Sequence, residues 1–451
     1  METQKPNLLE RFSQWQRSSI SLKLITVGIL ILVLLIPVAM IKDLIRERES
    51  RKRSAVNEVS EKWGKQQTVT GVVLTIPYYQ YSTIWDKELK EEKLVKTTEY
   101  AHFLPEDLKI TGKLSPEVRY RSLYEVVVYS ADVQLQGQFT SPDFSEWKVD
   151  EKDILWDDAF IALGLSDLRS IKNAVRLKWN EKEYAFSPGI PTREVISSGI
   201  STRIAGCRNA ANFSVSLQFN GSSSLYFTPL GKTTTTNLQS IWKDPKFDGA
   251  FLPADREITE EGFTANWKVL DLNRPYPQKF IGDQPDIAYS DYGVELLMPV
   301  DEYQKNTRAV KYAVMVIALT FLVFFFIQAL NRLRIHPVQY LIVGLAICIF
   351  YTLLIALSEH ISFTMSYLSA SLVIIGLITF YVSSIFKKKT LTQLLGLVLI
   401  ITYSFIYTII QLQDYALLMG SIGLLLVLAI VMVLSRKIDW YNLHDPQQDI
   451  H

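Results

Sequence analysis

Cysteine is almost absent from this chain, and its scarcity excludes two kinds of site. The 451 residues contain only Cys207 and Cys348. Two thiols, one of them inside a long apolar stretch, provide neither a disulfide framework nor a cysteine-based metal centre. We interpret Cys207 as an inert thiol of an exported domain rather than as a reactive group.

The chain also lacks an excess of charge of either sign. It has 47 Lys and Arg residues against 46 Asp and Glu residues, which gives a net charge of +1. This balance, without a stripe of basic residues interleaved with aromatic ones, gives no reason to expect nucleic acid as a partner. The segment Leu230–Thr233 is similar to half of a phosphate loop, but Tyr226 stands where the first glycine is required. We therefore predict no nucleic-acid partner and no nucleotide.

Recognisable catalytic and metal-binding motifs are missing too. The five histidines are His102, His336, His360, His444 and His451. None of them has the H-E-x-x-H spacing, and no carboxylate cluster is similar to a metal-binding loop. There is no G-x-S-x-G segment or other signature of a nucleophile. From these absences we predict a protein without catalytic residues, metal or cofactor, that is, not an enzyme.

Long apolar runs, in contrast, are abundant. Six stretches approach the ~20 residues with which a helix crosses a ~30 Å hydrocarbon core. They cover residues 24–41, 309–330, 338–357, 364–386, 391–411 and 415–434. The sequence therefore predicts a multi-pass α-helical membrane protein with six transmembrane helices. The polar block between the first and second helices, about 43–308, is too long to be a loop and predicts a large inserted domain.

The first apolar run is predicted to be an uncleaved signal-anchor. It is longer than the apolar core of a typical signal peptide, and no A-x-A cleavage site follows Met40. Residues 42–63 are expected to extend its helix, because Glu47 and Arg51 have the i,i+4 spacing of supportive pairs. The full predicted organisation is a cytoplasmic segment 1–23, helix 24–41, extension 42–63, exported domain 64–308, a five-helix bundle 309–434 and a cytoplasmic tail 435–451.

Lysine and arginine occur in every second connection between the spans, and this pattern predicts the orientation. Basic residues follow the second, fourth and sixth spans, whereas the loops 358–363 and 411–414 contain none. The basic residues are Arg332, Arg334, Lys387, Lys388, Lys389, Arg436 and Lys437. Because such residues accumulate on the cytoplasmic side, both termini are expected there and residues 43–308 in the periplasm. The basic residues within 46–53 oppose this pattern, but large domains translocate largely regardless of local charge.

The exported domain has the sequence pattern of β-strands. Apolar and polar residues alternate along Val133–Phe139 and Phe213–Phe219, and Asn220-Gly221 predicts a hairpin turn into Leu225–Phe227. We predict a β-rich, sandwich-like fold. Residues 103–111 and 251–259 agree at six of nine positions. This repeat indicates either two related subdomains or one strand-turn-strand motif that occurs twice.

Glu359 and His360 are the candidate functional residues. They lie where the third and fourth spans are expected to meet the outer surface. A carboxylate beside an imidazole can relay protons, bind a cation or sense acidity. The alternative is a polar turn that ends the helix and contacts lipid headgroups or the domain.

Two further patterns bear on function. The exported domain holds Trp63, Trp85, Trp147, Trp156, Trp179, Trp242 and Trp267. Such rings either form sugar-binding platforms or fill a core, and we favour the core. No Asp, Glu, Lys or Arg lies well inside any span, which disfavours ion-coupled transport but leaves a path for a neutral solute open.

Several short sequence segments together resemble those of one family, the CreD inner-membrane proteins. They are Phe251–Glu257 with Trp267, Pro299–Gln304, Arg308–Ala313, Ala318–Phe321, His336–Tyr340, Ala356–His360 and Asp439–Tyr441. The resemblance covers nearly the whole chain and is weakest over 141–200. It implies a bacterial inner-membrane protein associated with cell-envelope integrity and envelope stress, and it implies no catalytic residue or ligand.

These observations favour a non-enzymatic envelope protein. Its β-domain would contact envelope components, such as a glycan, or a membrane-protein partner, while its helices lie in the lipid bilayer. The alternatives are an envelope enzyme that uses Glu359 and His360 at the membrane surface, and a transporter of a neutral or lipid-like solute.

Overall fold

The structure is a computed structural model, and it describes residues 20–86, 91–282, 287–298, 302–331, 333, 335–386, 388–412 and 415–436. Residues 1–19 of the predicted cytoplasmic segment 1–23, residues 437–451 of the predicted tail 435–451, and the loop residues Arg332, Arg334 and Lys387 lie outside the described residues. The chain divides into two compact units, residues 1–51 with 300–451 and residues 52–299.

Within the part of the chain that the structure describes, seven α-helices account for the predicted spans. They are α1 (Ile20–Trp63), α2 (Glu302–Lys311), α3 (Ala313–Leu330), α4 (Pro337–Ser358), α5 (Phe363–Ser383), α6 (Lys389–Gln411) and α7 (Ala416–Ser435). Within the described residues, six helices are long and apolar enough to cross a membrane, with α2 and α3 counted as one. At ~1.5 Å per residue the 44 residues of α1 extend about 66 Å, well beyond a hydrocarbon core.

The start of α4 illustrates why the sequence forms these helices. Pro337 occupies the first helical turn, where its missing N–H has no helical partner in any case. His336 caps the helix, since its Nδ1 accepts from the Val338 N–H at 3.3 Å. The Gln339 Oε1 atom in turn accepts from the His336 N–H at 3.0 Å. This reciprocal capping box satisfies backbone donors that would otherwise lack partners.

Residues 1–51 and 300–451 form the helical unit, and its interior is closely packed. The Phe350 ring lies 4.8 Å from that of Tyr403 and 5.3 Å from that of Tyr367. The Tyr367 hydroxyl donates to the Tyr403 carbonyl at 2.8 Å, which ties α5 to α6. A Cβ at Gly344 would lie 2.2 Å from Leu34 Cδ1, so α4 has a glycine where α1 approaches it. Close approach at small residues is typical of helix pairs in membranes.

Residues 52–299 form two β-sheets within the described chain. The first contains β1 (Gln67–Asp86), β2 (Glu91–Phe103), β5 (Phe160–Leu165), β8 (Ser187–Pro188), β9 (Gly199–Arg203), β11 (Ser224–Thr228), β13 (Pro245–Gly249), β16 (Lys279–Ile281) and β17 (Tyr292–Leu296). The second contains β3 (Asp107–Arg121), β4 (Tyr124–Phe139), β6 (Arg176–Trp179), β7 (Lys182–Ala185), β10 (Ala211–Ser222), β12 (Thr233–Ser240), β14 (Asp255–Thr259) and β15 (Gly262–Leu270).

The order of the strands is unlike that of consecutive hairpins. The first sheet runs β13-β17-β11-β1-β5-β9-β8, with β2 added to β1 and β16 to β2. The second runs β14-β15-β12-β3-β4-β10-β6-β7. Both sheets contribute to one buried cluster, in which Val72 and Leu163 of the first sheet join Leu135 and Val215 of the second. The prediction of six apolar helices and a large β-rich domain is confirmed.

The predicted hairpin at Asn220-Gly221 is wrong. Strand β10 continues through both residues to Ser222, and the chain then crosses to the other sheet, where β11 pairs in parallel with β1. Ser223, at φ 63°, makes the turn, and its N–H donates to the Val127 carbonyl at 3.2 Å. Gly221 is needed for space instead, because a Cβ there would lie 2.3 Å from the Tyr129 ring.

The repeated motif has two different environments. Asp107 begins β3 in the interior of the second sheet, and Asp255 begins β14 at its edge. Ile110 is fully buried, whereas its counterpart Ile258 is 48% exposed. Both copies therefore start a strand, and the two explanations of the repeat remain open.

Candidate functional site

Glu359 lies at the C-terminal end of α4, where the polar turn toward α5 begins. The Ser358 hydroxyl donates to the Ile355 carbonyl at 3.0 Å, and the His360 N–H donates to the Leu357 carbonyl at 2.9 Å. These bonds satisfy carbonyls of the last turn, as helix ends require.

The Glu359 carboxylate binds side chains from two other helices. Its Oε1 accepts from the Tyr303 hydroxyl of α2 at 3.1 Å, and its Oε2 lies 3.5 Å from Arg48 Nη1 of α1. Beside it, Asn306 of α2 donates to the Ser358 hydroxyl at 2.7 Å. The Glu359 side chain is only 11% exposed, and so little exposure for a carboxylate requires such partners. The carboxylate thus joins α1, α2 and α4 within the helical unit.

His360 does not share this arrangement. Its side chain is exposed, and among the residues that the structure describes its ring makes no hydrogen bond or ion pair. The carboxylate and imidazole that are adjacent in sequence are therefore not brought together as a relay. Over the same part of the chain no group of three or more His, Cys, Asp and Glu side chains could hold a metal ion. In this structure Glu359 holds α1, α2 and α4 together, and the surroundings of His360 indicate no particular chemistry.

A second cluster, in residues 52–299, escaped the sequence analysis. His102 of β2 lies directly opposite Thr75 of β1, and both side chains are 1% exposed. The His102 Nδ1 lies 3.0 Å from the Thr75 hydroxyl, and its Nε2 lies 2.8 Å from Glu194 Oε2. The Phe280 ring packs 5.2 Å from the imidazole. No spacing in the sequence relates these positions, because Glu194 belongs to an irregular segment between β8 and β9.

The hydrogen bonds determine the protonation of this imidazole. A carboxylate only accepts, so Nε2 carries a proton. In the neutral imidazole, which burial favours by lowering its pKa, Nδ1 then accepts from the Thr75 hydroxyl. Because Thr75 and His102 are almost completely enclosed, neither can touch a substrate. Their hydrogen bonds attach the Glu194 segment to the first sheet.

Acidification is expected to destabilise the β-domain through His102. Burial lowers the pKa of the imidazole below its usual range, while Glu194 partly opposes that shift. The unfolded chain, with an ordinary histidine pKa of about 6.5, then binds the proton more readily than the folded one. The stabilisation is complete above that pH and is lost as the pH falls toward the folded pKa. The unfolding temperature of the full chain, followed by tryptophan fluorescence, should decrease accordingly.

Two variants separate this effect from general acid denaturation. His102→Phe should flatten the pH dependence below about pH 6.5, although the lost hydrogen bonds lower stability at neutral pH by about 1–3 kcal/mol. His360→Gln, which alters an exposed ring, should retain the wild-type slope. An unchanged slope in His102→Phe would exclude His102 as the group responsible.

Comparison with known proteins places this architecture in a family. The family described as "Inner membrane protein CreD" matches residues 19–441. The chain is also 30% identical over 424 residues to the inner membrane protein CreD of Escherichia coli (strain K12), covering 92% of this chain and 93% of that protein. The resemblance seen in the sequence is thereby confirmed: this chain belongs to the CreD family of inner membrane proteins.

Proposed function

We propose that this protein supports the integrity of the bacterial cell envelope, or its response to stress, without catalysing a reaction. The helices hold the β-domain at the membrane, and the domain contacts an envelope component. One observation supports the proposal: among the residues that the structure describes, the Glu359 carboxylate and the His102 imidazole are both held by internal contacts. Glu359 binds Arg48 and Tyr303, and His102 binds Thr75 and Glu194.

The proposed orientation has the β-domain in the periplasm and both termini in the cytoplasm. Lys388 and Lys389 are exposed at the start of α6, and Arg436 is exposed after the end of α7. The turn between α4 and α5 contains no Lys or Arg. This distribution supports the orientation because basic residues remain on the cytoplasmic side.

Single cysteines introduced on the two proposed sides test this arrangement. The natural thiols are suitable background, because Cys207 and Cys348 are buried and burial raises the pKa of Cys207 to about 11. In intact spheroplasts, a membrane-impermeant maleimide should label exposed Lys182→Cys of the β-domain. Lys388→Cys should react only after the membrane is disrupted. The reverse pattern would overturn the orientation.

The same two positions test the function. A cleavable photo-crosslinker on Lys182→Cys should capture an envelope glycan or membrane protein in living cells, identified by mass spectrometry. The matched Lys388→Cys sample should not contain it. Absence of any adduct specific to Lys182→Cys, together with turnover of an envelope substrate by the purified full chain, would contradict the proposal.

A further inference from the structure

The outer face of the second sheet carries regular rows of polar side chains. The strand register aligns outward residues of six neighbouring strands, while the intervening residues point into the core. The central row is Asn266, Asn237, Thr111, Gln134, Ser216 and Arg176. At the ~4.8 Å separation of strands, such a row is about 24 Å long. We call this surface the amide face.

The adjacent row adds positive charge. It contains Lys268, Thr235, Lys109, Gln136, Ser214 and Lys178. On the other side of the central row lie Gln239, Lys113, Asp132 and Gln218. Across the three rows five basic residues face one acidic residue, in a chain whose net charge is only +1. Glu183 partly offsets this excess because it pairs with Arg176 at 3.4 Å. At the far edge Asp255 lies opposite Asn266, and Glu257 and Glu261 lie nearby. The positive charge is therefore concentrated in the row of Lys268, Lys109 and Lys178.

The amide face is concave over its central strands. A cavity of about 640 Å³ is lined by residues of β12, β3, β4 and β10, and Asn173 and Ala174 contribute to its wall. The Asn173 amide donates to Gln218 Oε1 at 2.5 Å, which holds this wall against the sheet. The face is thus a shallow groove across the strands rather than an evenly convex surface.

Three of the amides on this face are available to a ligand. In the part of the chain that the structure describes, the side chains of Gln134, Gln136 and Gln239 make no intramolecular hydrogen bond, and all three are exposed. The other amides bond each other, since Asn237 donates to Asn266 Oδ1 at 2.6 Å and Asn173 donates to Gln218. An amide both donates and accepts hydrogen bonds, as does a sugar hydroxyl.

The chemistry of the rows selects one class of partner. Within the three rows no position carries an aromatic or large apolar side chain, so a protein partner would lack there the buried anchors that dominate protein interfaces. For the same reason the face offers no stacking platform for bases. A peptide strand would add to a sheet edge rather than lie across a face. A polymer rich in hydroxyls with spaced acidic groups matches both the amides and the lysines.

We propose that the amide face binds an extended anionic glycan. This inference rests on the proposed function, because it names the envelope component that the β-domain contacts. The strand of sugars lies across β12, β3, β4 and β10, with its hydroxyls on the amides and its acidic groups near Lys109 and Lys268. Lys113 and Asp132, opposite each other on neighbouring strands, border the same groove.

Binding of a defined oligosaccharide to the detergent-solubilised full chain tests the proposal. The probes are a linear galacturonate hexamer, its neutral methyl ester, and an acidic hexaglutamate peptide, measured by calorimetry at low and moderate salt. The galacturonate should bind at least about tenfold more tightly than either of the others. Equal affinity for hexaglutamate would overturn the glycan assignment, and absence of galacturonate binding would overturn the site.

Matched variants locate the binding. Gln134→Ala/Gln136→Ala should weaken galacturonate binding about tenfold or more, whereas Gln80→Ala on an exposed part of β1 should not. Lys109→Gln/Lys268→Gln should remove the preference for the acid over the ester. Lys152→Gln/Arg208→Gln makes the same charge change elsewhere and should preserve it. An equal loss in the two charge variants would show unspecific attraction and overturn the proposal.

The experiments distinguish failure of the glycan inference from failure of the proposed function. If crosslinking from Lys182→Cys captures only membrane proteins and galacturonate does not bind, the envelope role stands and the glycan inference fails. If crosslinking captures a glycan and the Gln134→Ala/Gln136→Ala variant still captures it equally, the amide face is excluded as the site. Thermal unfolding at the wild-type temperature confirms that each variant is folded.

Discussion

Replacing Glu359 by alanine should destabilise the helical unit by about 2–4 kcal/mol. The substitution removes the acceptor for the Tyr303 hydroxyl and the counter-charge of Arg48 at once. The Arg48 side chain is 35% exposed, so water partly replaces the carboxylate and the loss stays below that of a fully buried pair. The measurement is thermal unfolding of the purified full chain, together with the protein level in cells.

Two variants at the same turn complete the experiment. Glu359→Gln keeps an oxygen that can accept from Tyr303 but loses the charge, so an intermediate loss of stability is expected. His360→Ala removes an exposed ring and should leave stability unchanged. A cellular defect in both Glu359→Gln and His360→Ala at normal protein level and stability would instead favour the envelope enzyme.

Replacing Trp267 by alanine should destabilise the β-domain by about 3–5 kcal/mol. Trp267 is 2% exposed, and its ring lies 5.6 Å from Tyr292 and 5.7 Å from Phe247. Its indole N–H also donates to the Phe251 carbonyl at 3.1 Å. The variant loses both the packing and this hydrogen bond, and it leaves a cavity between the two sheets.

Trp85 provides the matched control, because it is 62% exposed. Trp85→Ala should change the unfolding temperature little, since surface substitutions away from special features rarely exceed about 0.5 kcal/mol. Equal effects of the two substitutions would contradict a core role for Trp267. Loss of galacturonate binding in Trp85→Ala would move the glycan site from the amide face to the exposed end of β1.

The tryptophans show how much about burial can be predicted from composition alone. Trp179 and Trp267 are each 2% exposed, and the Trp63 ring lies under the Arg119 guanidinium at 3.5 Å. The preference for a core role describes Trp179 and Trp267 but not the half-buried Trp63, and nothing in the sequence context of the two core residues distinguishes them from exposed Trp85. Burial depends on which strands cover a residue, and that is decided by pairing between distant segments.

Features that depend on local pattern were determined by the sequence itself. Six apolar runs form helices, because a segment inside a bilayer has no water to bind its backbone N–H and C=O groups and must satisfy them within the segment. The length and the composition of a segment can be read from the sequence without knowing what it packs against. The alternation along Val133–Phe139 likewise determined which side chains face the core, since the strand period is two.

The choice of partners was decided by the tertiary structure alone. Asn220-Gly221 has the composition of a hairpin turn, yet β10 pairs with β4 and β6 while β11 pairs with β1 and β17. The contacts of Glu359 with Arg48 and of His102 with Glu194 join residues 311 and 92 positions apart. Even the amide face, whose residues alternate visibly along each strand, exists as a surface only once the register aligns six strands. Hydrogen-bonding groups on a strand accept many partners equally well, so the packing of the whole domain selects among them.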